Sequence, residues 1–114
     1  MNREESKFKT WCDSQGLFCL KLRLYESKGF PDRTVIGPGF VCFFEFKRPG
    51  ESTSDHQHAW AARLRDKGFF VWTVTSCDAA IEWLDCLTIP TVTTWKEIRC
   101  SQGNSTSKTP RPGR

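Results

Sequence analysis

The sequence lacks several features that would place it in a familiar class of protein. No apolar run approaches the roughly 18 residues of a membrane-spanning helix, so we expect no membrane association. There are only two histidines, and the six cysteines contain no Cys-x-x-Cys pair, which argues against a zinc site. The polar, acidic first residues do not resemble a signal peptide. We therefore expect an intracellular protein whose cysteines are free, buried thiols.

The net charge of +4 does not by itself indicate a basic surface on the folded part of the chain. Residues 101–114 carry three basic and no acidic residues, which leaves a net charge of only +1 on residues 1–100. The same segment is rich in Ser, Thr, Gly and Pro and has nothing to pack. We predict a single domain over residues 1–100 and a disordered basic tail over residues 101–114.

The apolar pattern predicts an α/β domain with a mixed sheet flanked by helices, in the order α-β-β-β-α-β-α. In the first strand, Leu20, Leu22 and Leu24 are expected to face inward. The fourth strand is apolar on both faces and is therefore expected to be central. The segment 89–100 is ambiguous and is compatible with a final strand followed by a turn of helix. The predicted helices begin at Glu4, Ser54 and Ser76, and the predicted strands cover residues 17–25, 34–36, 40–46 and 69–75.

The second and third strands are separated by a Gly-Pro-Gly sequence, which predicts a hairpin. If the turn centres on Pro38 and Gly39, Asp32 lies opposite Glu45, and Lys47 lies on the same face as Glu45. A register shifted by one residue would separate the facing pair, and an ordinary Glu–Lys surface pair is the alternative interpretation.

Two neighbouring carboxylates repel each other unless a cation lies between them. Oxygen ligands without nearby His or Cys suit Mg²⁺ or Mn²⁺. A lysine beside such a pair can orient or deprotonate a water molecule and stabilise charge on a phosphate. The three residues Asp32, Glu45 and Lys47 are therefore candidates for a metal-dependent hydrolytic site.

Three motifs occur in order: residues 29–33 (Gly-Phe-Pro-Asp-Arg), residues 44–50 (Phe-Glu-Phe-Lys-Arg-Pro-Gly) and the helical Gln57. Over about residues 4–85, this arrangement resembles the virus-type replication-repair nuclease (VRR-NUC) domain of the PD-(D/E)xK superfamily, as a stand-alone phage-like member. The resemblance implies a restriction-endonuclease-like fold and a metal-dependent endonuclease that hydrolyses DNA. A phage-encoded protein of this kind would act in the cytoplasm of a bacterial host.

By this resemblance, Asp32, Glu45 and the backbone carbonyl of Phe46 would hold the metal ion, and Lys47 would act on the attacking water. An acidic residue of the first helix would also approach the metal; Glu5 fits this place best, with Glu4 as the other candidate.

The family also has an active-site glutamine, which Gln57 matches. A capping box between Ser54 and Gln57 would explain the same glutamine without catalysis.

Five basic residues near the predicted site could contact phosphates or form a solvated face, and we favour phosphate contact. They are Lys21, Arg23, Lys28, Arg33 and Arg48. His56 and His58 point about 200° apart on a helix and cannot share one ligand set. The tryptophans are expected to pack in the core rather than to stack on bases.

Stand-alone members of the resembled family act as dimers on branched DNA such as four-way junctions. We therefore expect a homodimer that binds and cuts branched DNA. The alternatives are a nuclease that nicks single-stranded or flap DNA, and a nucleic-acid-binding module without catalysis.

Overall fold

The computed structural model describes residues 2–25 and 27–103. The predicted order of helices and strands is confirmed up to the third helix, after which a small hairpin and a fourth helix follow. The elements are α1 (Arg3–Ser14), β1 (Phe18–Leu20), β2 (Arg33–Gly37), β3 (Phe40–Phe46), α2 (Asp55–Asp66), β4 (Phe70–Val74), α3 (Cys77–Cys86), β5 (Thr88–Ile89), β6 (Thr93–Thr94) and α4 (Trp95–Gly103).

Helix α4 extends three residues into the segment that composition assigned to the tail, and the rest of that predicted tail lies outside the described residues. Within the described residues, no helix is both long enough and apolar enough to cross a membrane.

The main sheet has the strand order β1-β2-β3-β4. Strands β1, β2 and β3 pair antiparallel, whereas β4 pairs parallel to β3 after the crossover through α2. The predicted hairpin register is confirmed, since Ile36 pairs with Val41 and Arg33 with Phe44. Gly39 has a φ of 76°, so a glycine after Pro38 is what this tight turn requires.

The inward face of β1 is the reverse of the predicted one. Leu17 and Cys19 are buried, whereas Leu20, Leu22 and Leu24 are 41%, 44% and 39% exposed. The strand also ends at Leu20 instead of continuing to Tyr25. The apolar alternation was therefore assigned to the wrong face, because Leu17 and Cys19 are the side chains that meet the core.

Strand β4 is the last strand of the sheet, so the prediction that it is central was wrong. Its apolar character on both faces has another cause. Trp72 stacks at 5.3 Å on Phe70 and at 5.5 Å on Trp83 of α3, which covers one side of this edge strand. Trp83 itself remains 47% exposed, so not every tryptophan is a core residue.

The two faces of the sheet differ along β3. Cys42, Phe44 and Phe46 point to one side and belong to the main hydrophobic core, where Phe8 of α1 packs 4.9 Å from Phe44. Phe43 points to the other side, toward Phe30. We call the first side the core face and the second the α2 face. Helix α2 has no buried residue of its own, so it only partly covers its side of the sheet.

All six cysteines are free, as expected for this sequence. Four of them are buried, whereas Cys86 and Cys100 are exposed. Cys12, Cys19 and Cys42 lie together in the core. The thiol hydrogen bond with Cys19 and burial raise the pKa of Cys12, and burial raises that of Cys42.

Candidate active site

The candidate site lies on the α2 face at the end of the β2–β3 hairpin. Asp32 comes one residue before β2, and by the hairpin register it lies opposite Glu45. Lys47 follows β3 directly, and its backbone N–H still donates to Val74 of β4. Gln57 lies in the first turn of α2. The structure thus brings together the four residues that the sequence proposed for catalysis.

Gln57 links the acidic and basic members of the site. Its Nε2 donates a hydrogen bond to Glu45 Oε2 at 2.8 Å, and its Oε1 accepts one from Lys47 Nζ at 2.6 Å. The glutamine therefore fixes the carboxylate and the ammonium group at the same time. Glu45 and Lys47 are 6% and 7% exposed, so water competes little for these contacts.

The same glutamine also completes the capping box of α2. The side-chain Oε1 of Gln57 accepts a hydrogen bond from the Ser54 backbone N–H at 2.9 Å. The backbone N–H of Gln57 donates to Ser54 Oγ at 3.2 Å. The two explanations that the sequence left open are compatible, because one side chain serves both. Capping holds the amide in place, and the amide then orients Glu45 and Lys47.

The two carboxyl groups are close to each other. Asp32 Oδ2 accepts a hydrogen bond from the Phe46 backbone N–H at 2.8 Å, which brings the Phe46 backbone to the site. Burial and the negatively charged Asp32, with which Glu45 shares a hydrogen bond, raise the pKa of Glu45 to about 8, although Lys47 acts in the opposite direction. A second negative charge at this position is therefore unfavourable unless a cation compensates it.

This donor chemistry fits a hard divalent cation. The carboxyl groups of Asp32 and Glu45 share a hydrogen bond, and Phe46 follows Glu45 on β3. Carboxylate and backbone carbonyl oxygens are the ligands that Mg²⁺ and Mn²⁺ prefer. A cation between the carboxylates would remove the repulsion that raises the pKa of Glu45.

Glu5 is not brought to this pair. Its carboxylate is buried and binds Arg33 Nε at 2.8 Å and Lys21 Nζ at 3.3 Å. Arg33 lies opposite Phe44 and therefore points to the core face. Glu4 accepts from the backbone N–H of Cys77, at the start of α3. Among the residues with assigned positions, no three His, Cys, Asp or Glu side chains form a possible metal-ligand set.

The five basic residues expected to contact phosphates fall into two groups. Arg33 is only 3% exposed and is bound to Glu5, so its position does not suit a phosphate contact, and Lys21 shares the same carboxylate. The exposed Arg23, Lys28 and Arg48 remain available to a polyanion. The predicted basic cluster is thus divided, because the strand register directs Arg33 to the core face, where it and Lys21 bind Glu5.

A cleft of about 110 Å³ opens beside Glu45 and Gln57. Thr73, Arg65 and His58 also line it, and sequence analysis did not assign them to the site. Thr73 pairs with Glu45 in the parallel ladder, and Arg65 donates to the Val71 carbonyl at 2.6 Å. The parallel crossover expected after a strand and helix could have indicated Thr73, because it places the next strand beside β3.

The mixed sheet flanked by helices, with Asp32, Glu45 and Lys47 at its end, defines a restriction-endonuclease-like fold. No protein-family model matches this chain, and no curated protein does. A solved structure described as "VRR_NUC domain" is 30% identical, with a TM-score of 0.63, and the match covers 72% of this chain and 97% of that one. The chain belongs to the VRR-NUC family and is a nuclease domain.

Proposed function

We propose that the protein is a divalent-metal-dependent endonuclease that hydrolyses phosphodiester bonds of DNA. The observation that carries this proposal is the hydrogen-bonded chain from Glu45 through Gln57 to Lys47, beside Asp32. A binding module without catalysis has no need for two mutually repelling carboxyl groups, one of them buried, at the end of a sheet.

Each residue has a definable role in this proposal. Asp32, Glu45 and the Phe46 carbonyl hold Mg²⁺ or Mn²⁺, which when bound supplies Lewis-acid stabilisation of the phosphate. Lys47 orients or deprotonates the attacking water and stabilises charge on the phosphate. Gln57 keeps Lys47 and Glu45 in their relative positions. Glu5 acts through its ion pair with Arg33 and supports α1 against the hairpin rather than binding the metal.

We propose further that the substrate is branched DNA and that the protein acts as a homodimer. Paired cuts on a four-way junction need two sites related by a twofold axis. The apolar side chains of the edge strand β1 and the segment after it support a self-association surface. A second copy would cover Phe18, which is 61% exposed, and the neighbouring Leu20, Leu22 and Leu24.

The experiment uses labelled four-way junction, flap, single-stranded and duplex DNA, each with Mg²⁺, Mn²⁺ or EDTA. We expect paired, symmetric incisions on the junction that require the metal and are absent with Glu45→Gln, an isosteric control. Light scattering at micromolar concentration gives the oligomeric state. Cleavage that persists in EDTA would contradict the metal-dependent mechanism. A monomer that makes single nicks on flap or single-stranded DNA would contradict the junction proposal and support a nicking nuclease.

A further inference from the structure

A second cleft lies beside the catalytic one, between the segment 27–30 and another face of α2. Its volume is about 450 Å³, within the roughly 300–1,000 Å³ typical of ligand sites. Four of its residues recur at helical spacing, so they form one continuous stripe along α2. The lining residues are Ser27, Lys28, His56, Ala59, Trp60 and Arg63.

The wall opposite α2 is held by close contacts. Gly29 has a φ of 87°, and a Cβ at this position would lie 2.4 Å from the carbonyl carbon of His56. The backbone of the segment therefore contacts α2 directly, which only glycine allows. Phe30 then packs edge-on against Trp60 with ring centroids 5.1 Å apart. The shape of the cleft is therefore fixed by close packing between this segment and α2.

The chemistry of the cleft suits a nucleotide. The Arg63 guanidinium lies over the Trp60 ring, 5.1 Å from its centroid, and Lys28 is exposed on the opposite wall. None of the described lining residues is acidic. A guanidinium supported by an aromatic ring can stack on a base, and both cations can bind phosphate oxygens.

The position of the cleft relates it to the catalytic site. His56 lines the second cleft, and the next residue, Gln57, lines the catalytic one. Lys28 is four residues before Asp32 along the same wall. A DNA strand that crosses the first turns of α2 would therefore pass from one cleft into the other.

We propose that the second cleft binds an unpaired nucleotide of the substrate strand next to the scissile phosphate. Lys28 and Arg63 hold the phosphodiester, and the unpaired base stacks on Arg63 above Trp60. A paired base is already stacked within its duplex and gains nothing from this platform. The inference rests on the proposed nuclease function and deepens it, since it selects DNA with unpaired bases, such as a branch point or a flap.

The test is metal-free fluorescence anisotropy with oligothymidylate and with a duplex of equal length, over a range of salt concentrations. The double variant Lys28→Ala/Arg63→Ala should bind oligothymidylate about tenfold more weakly, with a salt slope lower by about 1.4, or about 0.7 for each lost phosphate contact. Its affinity for the duplex should fall less. The matched control is Lys67→Ala/Lys96→Ala, which removes the same charge from exposed positions outside the cleft and should change affinity less than about twofold.

Arg63→Lys separates stacking from charge, because it keeps the cation and removes the planar guanidinium. We expect it to lose preference for oligothymidylate while duplex binding is retained. Equal losses in the two double variants, or equal losses on single-stranded and duplex DNA, would overturn the proposal. Wild-type protein that binds oligothymidylate but cuts no DNA with Mg²⁺ or Mn²⁺ would instead overturn the proposed function and leave the cleft assignment standing.

Discussion

The core face and the α2 face of the sheet are built from alternate residues of the same strand, β3. On the core face, Phe44 and Phe46 pack with Phe8 in an apolar interior. On the α2 face, Glu45 and Lys47 are also buried, but they contact each other only through Gln57. One strand therefore supplies both the packing that holds the sheet and the charged groups of the site.

This difference shows how a chain of 114 residues can contain a buried charged site. Burial of Glu45 beside Asp32 is unfavourable, as its raised pKa indicates. The aromatic cluster of the core face compensates for this cost through the same strand. Substitutions on the α2 face should therefore mainly affect cleavage, whereas substitutions on the core face should mainly affect stability.

The largest effect is expected for the charged residues of the α2 face. Asp32→Ala, Glu45→Ala and Lys47→Ala should each lower cleavage by on the order of a thousandfold or more, since the three act as one unit. Each variant should still fold, with a lower melting temperature where the substitution leaves a buried hydrogen-bond partner unpaired. Single-turnover cleavage and thermal melts measure the two properties. Near-normal turnover by any folded variant would show that its residue is not catalytic.

A substitution at the neighbouring residue on the core face should mainly lower stability. Phe44→Ala removes a fully buried aromatic side chain and should lower the free energy of unfolding by about 3–5 kcal/mol. Urea unfolding measures this loss. The control is Tyr25→Ala, a fully exposed aromatic residue, which should change stability by no more than about 0.5 kcal/mol. Similar values for both variants would contradict the assignment of Phe44 to the core.

The two roles of Gln57, capping α2 and orienting Glu45 and Lys47, can be separated with two variants. Gln57→Ala should lower cleavage by about tenfold to a hundredfold, because Glu45 and Lys47 lose their shared hydrogen-bond partner. Ser54→Ala removes only the capping hydroxyl and should lower stability by about 1 kcal/mol with little change in cleavage. If the two variants lose cleavage equally, the contribution of Gln57 is limited to capping.

The remaining comparison concerns the pH dependence of stability in the metal-free protein. The pKa of Glu45 rises from an ordinary value of 4.5 to about 8. Between these values the folded state keeps a proton that the unfolded state releases, so the free energy of unfolding falls as pH increases. Glu45→Gln should flatten this part of the stability profile. Denaturant unfolding in EDTA from pH 4.5 to 8 tests the difference, and identical wild-type and variant slopes would contradict it.

Much of the site could be predicted from the sequence because local rules determine it. The Pro38–Gly39 turn sets the hairpin register, and the register places Asp32 opposite Glu45. Strand alternation adds Lys47, and none of these steps needs knowledge of distant contacts. The assignment of Gln57 to the site came instead from the resemblance to the family, since the Ser54 capping box alone does not indicate a catalytic role.

The predictions that were wrong depend on non-local contacts. So does the position of Glu5, which lies apart from the candidate site. The edge position of β4 follows from the strand order of the whole sheet, which hydrophobicity along one strand does not reveal. The position of Glu5 follows from Arg33, a cation on the core face that binds its carboxylate. In β1, alternation alone could not decide between its two apolar faces.

The uneven burial of the cysteines has a practical consequence for labelling. Cys86 and Cys100 are exposed on α3 and α4, whereas the other four thiols are buried. The raised pKa values of Cys12 and Cys42 further disfavour the reactive thiolate. A maleimide dye should therefore attach first to these two helices, which belong to the side of the molecule away from Glu45. The natural chain thus offers two fluorophore positions without redesign of its interior.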